Sequence, residues 1–289
     1  MSGERLIALA MQEHVIGDGA MGTMLQGYGM AAGECPEMWN VQHPDELRAI
    51  HAAYIKAGSR MIGTNTFGGN RPKLDAYGLA DRVKELNHAG VALAREAAGP
   101  DNFVAASIGP TGKFLEPLGE MTFDEAADFF AEQAHAQAEA GADVILMETF
   151  SDLGETKAAL AGGMRTGLPC FCSMAFDTGG RTMMGVDPVT AAVVLMDAGA
   201  SGVGANCGRG PGETLDIVYQ MREAVSGIII AQPNAGLPQV VGGVTVYNST
   251  PEEMASYAVR FAQIGTNIIG GCCGTTPDHI RAIAAAVKM

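Results

Sequence analysis

Short apolar runs rich in Val, Ile and Phe recur along the chain, each closed by glycine or a polar residue, with longer Ala-, Glu- and Leu-rich stretches between them. The runs at 14–18, 60–65, 103–107, 143–148, 170–175, 202–206, 228–232 and 267–270 are too short for helices and carry strand-favouring residues. Segments 45–57 and 122–140 place apolar residues three to four positions apart, which predicts helices with one buried face. Repeated strand–helix units imply a parallel sheet, because a parallel pair needs a crossover between its strands. Eight such units in 289 residues predict an α/β fold of the closed (β/α)8 TIM type rather than an open doubly wound sheet. Residues 1–289 are expected to form a single domain. A prior of ~150 residues per domain would suggest two, but no Pro/Ser/Gly-rich spacer, charge block or short repeat marks a boundary.

Charge narrows the partners. A formal net charge of −14 disfavours nucleic acid and anionic membrane, both of which need a basic surface. No apolar stretch reaches the ~18 residues of a membrane span, and Met1-Ser2-Gly3-Glu4-Arg5 does not open a secretory leader, so a cytoplasmic location is expected. In a reducing compartment, six cysteines act as ligands, nucleophiles or core residues more readily than as disulfides.

Two of those cysteines are adjacent, in Gly270-Gly271-Cys272-Cys273-Gly274-Thr275-Thr276-Pro277. Neighbouring Cα atoms lie only ~3.8 Å apart, short of the usual disulfide span, so the pair reads as two ligands of one soft metal. Cys207 also follows an apolar, Gly-rich run and is the third candidate. Three thiolates with an open fourth position describe a zinc site built for substrate, since structural zinc usually has four protein ligands.

Asp18, Asn65, Glu148, Cys207, Asn234 and the Cys272-Cys273 pair all fall at or just past the C-terminal end of a predicted strand, the end where such barrels hold their sites. Asp18-Gly19-Ala20-Met21-Gly22-Thr23 combines a carboxylate able to bind an ammonium group with glycines that permit close backbone approach, although an ordinary turn with Asp18 as a helix cap is the alternative. Asn65-Thr66-Phe67-Gly68-Gly69-Asn70 suits amide hydrogen bonding without added charge. Glu148 is delivered by the buried run 144–147 and needs a partner, either a substrate amino group or an arginine such as Arg165. Asp152 fits a helix cap, and Ser107-Ile108-Gly109-Pro110-Thr111-Gly112 a structural turn. Cys170 and Cys172 share a strand face and fit core packing, Cys35 has no companion, and no histidine is assigned to a metal.

Together with Ile108-Gly109-Pro110-Thr111, Glu148-Thr149-Phe150, Asn206-Cys207 and Asn234-Ala235-Gly236-Leu237-Pro238, these motifs resemble, in order and over nearly the whole chain, the homocysteine S-methyltransferase family. The likeness is strongest to the homocysteine-binding barrel module of its cobalamin-dependent methionine synthase branch. It implies a zinc ion on Cys207, Cys272 and Cys273 with the homocysteine sulfur as exchangeable fourth ligand, and Asn234 in that position when substrate is absent. It further implies that Asp18 and Glu148 hold the substrate ammonium and that backbone groups of Gly19 and Ala20 meet its carboxylate. Gly274-Thr275-Thr276 resembles the cobalamin-dependent branch. No folate-, cobalamin- or reactivation-type segment is present up to Met289, so the expected donor is methylcobalamin or another methylcorrinoid on a corrinoid-binding protein or module separate from this barrel. Betaine or S-methylmethionine as donor, and a non-catalytic zinc module that docks a corrinoid protein, stand as the alternatives.

Overall fold

The computed structural model describes residues 2–241 and 244–288. Eight strands form one parallel sheet: β1 (Val15–Ile16), β2 (Met61–Gly63), β3 (Phe103–Ile108), β4 (Val144–Phe150), β5 (Cys170–Met174), β6 (Gly202–Cys207), β7 (Ile228–Pro233) and β10 (Ile268–Ile269), with a separate hairpin of β8 (Gln239–Val241) and β9 (Val244–Val246) in the loop after β7. The spatial order is β1-β10-β7-β6-β5-β4-β3-β2. The two ends of that order meet. Arg60 N donates to Ile16 O at 2.8 Å, Ser59 Oγ to Gly17 O at 3.1 Å, and Gly63 N to the Asp18 carboxylate at 2.8 Å. A (β/α)8 barrel results, as the strand–helix alternation predicted.

Side-chain parity along the strands divides the core in two. Phe103 and Ala105 on β3, Val144 and Leu146 on β4, and Ile228 and Ile230 on β7 point inward and pack with Leu6 and Ala10 of the helix Ser2–Ala10, which plugs the N-terminal end of the barrel. Their neighbours Val104, Ile145 and Ile229 face outward into the larger cluster beneath the helices. Each fully buried aliphatic side chain contributes about 1.5–3 kcal/mol, so the two clusters leave little freedom in strand register. The next inward positions are Ser107, Glu148, Asn206 and Gln232, and polar chemistry therefore begins one layer above the apolar plug.

Helix boundaries follow local chemistry. Thr122 and Glu125 form a reciprocal cap for the helix Phe123–Glu139, and Asp152 accepts from Gly154 N and Glu155 N at the start of the helix Leu153–Met164, as its position suggested. Two elements were not anticipated, the plugging helix and the β8–β9 hairpin. β1 and β10 are also shorter than predicted, because the Gly- and Asp-containing ends of those runs leave the ladder to build loops.

Candidate active site

The three cysteines come together at the C-terminal end of the barrel. Cys207 is the last residue of β6, and the loop after β10 brings in Cys272 and Cys273. That loop is stitched to both neighbours: Gly271 N donates to Asp18 O at 2.8 Å, Cys272 N to Pro233 O at 2.8 Å, and Ala235 N to Cys273 O at 2.9 Å. All three Sγ atoms lie within 4.8 Å of one another, with Cys207 and Cys272 only 2.9 Å apart. Hydrogen bonds from Cys207 and Cys272 pull the Cys273 thiol down to about 3. Cys272 is pushed well up by its hydrogen bonds with Cys207 and Cys273 and by burial. The trio without a cation thus favours one negative charge, and a thiophilic divalent ion is what allows all three to ionise.

The geometry fits such an ion. Zn–S bonds of ~2.3 Å at tetrahedral angles place sulfurs roughly 3.8 Å apart, so Cys207 and Cys272 need to separate by about 1 Å. Asn234 stands beside them, with its N–H on Cys207 O at 3.1 Å and its Nδ2 on Gly208 O at 2.9 Å. Its Oδ1 is buried and has no hydrogen-bond partner, an unsatisfied oxygen on a residue bonded to the Cys207 backbone.

Two buried carboxylates flank the sulfurs. Burial pushes Asp18 up to about 8 despite the Gly63 hydrogen bond, with the Glu148 charge adding to the rise. Burial likewise pushes Glu148 up to about 7 against the hydrogen bond donated by Ser107 Oγ. Among the described residues neither carboxylate is in an ion pair, and Arg165, the cation proposed for Glu148, pairs with Asp128 at 2.6 Å instead. Without a cation nearby, burial favours the neutral form of both acids, and a cation brought beside them would favour their ionised forms.

The cavity measures about 460 Å³ and is lined by the three cysteines, Glu148 and Ser107 together with Glu37, Phe67, Lys73 and Tyr77. Ala20 and Asn65 also line it, whereas Asp18, Gly19 and Asn234 lie behind its surface. Several side chains have other engagements. A Cβ on Gly19 would lie 2.6 Å from Thr275 Oγ1 and 2.9 Å from the Tyr54 ring, so the close approach this glycine permits is to the protein itself. Ala20 N, the atom able to donate to a substrate carboxylate, is already committed to Thr275 Oγ1 at 3.1 Å, and Ala20 O accepts from Tyr54 at 2.7 Å. Both amide hydrogens of Asn65 are committed, to Pro36 O at 2.7 Å and Asn40 Oδ1 at 3.0 Å. Its side chain therefore fixes the loop whose surface lines the cavity.

Other residues play parts that spacing did not reveal. Glu37 is buried, accepts from Gly68 N at 2.6 Å and from the Cys35 thiol at 3.3 Å, and gives Cys35 the companion it lacked in sequence. Ser107 belongs to the site rather than to a turn, while Thr111 of the same motif is structural, donating to Glu155. Cys170 and Cys172 are buried in the core.

A (β/α)8 barrel with three convergent thiols at its C-terminal end, a group able to hold a metal ion, carries its polar chemistry where barrels of this kind place their active sites. Residues 15–287 match the family model described as homocysteine S-methyltransferase, and the chain belongs to that family of methyltransferases. It is 35% identical over 301 residues to the methionine synthase of Mycobacterium leprae and 36% identical to that of Mycobacterium tuberculosis, in each case covering 98% of this chain and 25% of the relative. The chain thus spans about a quarter of those proteins' length. The fold is similar to that of the metallated homocysteine methyltransferase MmuM from Escherichia coli, with a TM-score of 0.79, 24% identity, and coverage of 96% of this chain and 98% of that one. No helix among the described residues is long and apolar enough to cross a membrane.

Proposed function

We propose that this barrel transfers a methyl group to the thiol of homocysteine, giving methionine. In this reading zinc sits on Cys207, Cys272 and Cys273, and the donor is methylcobalamin or another methylcorrinoid carried by a separate protein or module. The observation that carries the reading is that three sulfurs and the buried acid Glu148 line one cavity, with a second buried acid, Asp18, behind its wall and no cation paired with either acid among the described residues. All six cysteines are free, which agrees with a reducing, cytoplasmic setting.

When bound, zinc supplies a Lewis acid that lets a thiol of pKa near 8.5 ionise at neutral pH while its sulfur keeps a lone pair. Asp18 and Glu148 hold the substrate ammonium, and that cation in turn favours their ionised forms. Asn234, whose Oδ1 has no hydrogen-bond partner, would supply an oxygen ligand to the metal in the absence of substrate. The homocysteine sulfur then attacks the donor methyl carbon, forming the S–CH3 bond as the bond to the donor breaks and the leaving group keeps that electron pair. The cavity walls exclude water that would compete for the methyl group.

Incubation with homocysteine and methylcobalamin, with methionine followed by mass spectrometry, tests the proposal. Cys272→Ser is expected to abolish transfer while the circular dichroism of the barrel persists. Turnover that survives complete metal removal contradicts the proposal, and parallel assays with betaine and S-methylmethionine separate the donor classes.

A further inference from the structure

The end of β4 is irregular. Its pairing with β5 shifts between Met147 and Phe150, so Glu148 and Thr149 sit on a β-bulge, and Thr149 adopts a φ of 63°. Cys207, the thiol at the end of β6, adopts a φ of 58°. These are the only two non-glycine residues with positive φ among the described residues, and each such conformation costs on the order of 1–3 kcal/mol unless its surroundings hold it.

One side chain ties the two together. Asn206 points into the barrel from β6 and reaches past β5 to the bulge. Its Oδ1 accepts from Thr149 N at 2.9 Å, the group the bulge takes out of the ladder, and its Nδ2 donates to Thr149 Oγ1 at 2.7 Å. A backbone N–H can only donate, so this contact fixes which end of the amide is oxygen. The same Nδ2 lies 3.9 Å from Cys272 Sγ, and Thr149 Oγ1 lies 3.8 Å from Cys207 Sγ. Asn206 is 2% exposed, so water does not compete for these contacts.

We propose that Asn206 and Thr149 form a positioning clamp that holds the Glu148 bulge and presets Cys207 and Cys272 for the metal, joining the ammonium-binding and sulfur halves of the site. Groups that hydrogen-bond metal ligands from behind typically alter metal affinity ten- to a hundredfold. The inference rests on the metal reading above and goes further, because it assigns a role to two residues that are neither ligands nor ammonium receptors.

The test uses the full chain, loaded with zinc or with Co(II). Asn206→Asp keeps the acceptor for Thr149 N but loses both N–H groups. Thr149→Val removes the hydroxyl, and Thr149→Ser restores it. Zinc affinity measured by chelator competition should fall about ten- to a hundredfold in Asn206→Asp and about tenfold in Thr149→Val, with recovery in Thr149→Ser. The sulfur-to-Co(II) charge-transfer band should move in the first two variants and return in Thr149→Ser, a signature that lost stability alone does not produce, while the metal-free melting temperature falls in the first two with the buried hydrogen bonds they lose. If Asn206→Asp does not fold, the Thr149→Val and Thr149→Ser pair decides alone. Variants that hold zinc within about threefold of the native chain, with unchanged Co(II) bands, overturn the clamp. A native chain that binds no thiophilic metal overturns the metal reading, and the clamp with it.

Discussion

Asp18 accepts the backbone N–H of Gly63 at 2.8 Å, across the seam between β1 and β2, which share no ladder among the described residues, so this carboxylate helps to close the barrel from behind the cavity wall. Burial raises its carboxyl to about 8 in the fold, against an ordinary value of 3.8. A carboxyl raised in this way gives stability that is complete below the unfolded value and drains away as pH rises through the folded one. Asp18→Asn keeps an acceptor for Gly63 and removes the ionisation. The substrate-free variant should therefore melt a few degrees higher than the native chain at pH 8, on the order of 1–2 kcal/mol, with the advantage shrinking towards pH 5. Calorimetry across that range checks this, and parallel curves for the two proteins would refute it.

Glu148→Gln should weaken homocysteine about ten- to a hundredfold, because the isostere keeps the Ser107 contact but loses the charge. Zinc content should not change. With Glu148 titrating at about 7, native affinity should rise as pH goes from 6 to 8, and the Gln variant should show a flatter profile. Isothermal titration with parallel metal analysis reads both quantities. A variant that loses zinc yet binds the thiol normally after reloading would put Glu148 behind the metal rather than on the substrate.

Asn234→Ala should lower zinc affinity more without homocysteine than with it, since the substrate sulfur replaces the amide oxygen. Equal losses in the two conditions would show that Asn234 supports the loop through its Gly208 contact and nothing more.

Gly274 has a φ of +82°, and a Cβ there would lie 2.2 Å from the Tyr247 ring. Gly274→Ala should cost at least ~1–3 kcal/mol of stability and displace the adjacent Cys273, so thermal melting and zinc affinity should fall together. Unaltered metal affinity in a destabilised variant would separate the glycine from the site.

Much of this was legible in the sequence, for identifiable reasons. Adjacent cysteines after an apolar run constrain geometry by themselves, and the alternation of runs fixed the barrel ends at which Glu148, Cys207 and Cys272 meet. Where a side chain goes after it leaves a strand end is a different matter. Asn65 and Ala20 stand at such ends, yet their polar atoms serve Pro36, Asn40, Thr275 and Tyr54, partners from distant segments that no local pattern reveals. Glu37 and Lys73 reach the cavity from the short helical turns Pro36–Met38 and Arg71–Asp75, too brief to show a periodic pattern. The β8–β9 hairpin carried a signal, valine runs on either side of Gly242-Gly243, but a strand in a loop has no place in a simple barrel pattern.

The central claim is that three protein sulfurs hold a metal whose fourth position accepts the substrate thiol. Zinc K-edge absorption on the zinc-loaded chain, recorded with and without homocysteine, measures that directly. The account predicts three sulfurs with one lighter ligand in the free protein and four sulfurs once homocysteine is added. A sulfur count that stays at three with homocysteine bound, or a chain that retains zinc with Cys207, Cys272 and Cys273 all replaced by serine, would contradict it.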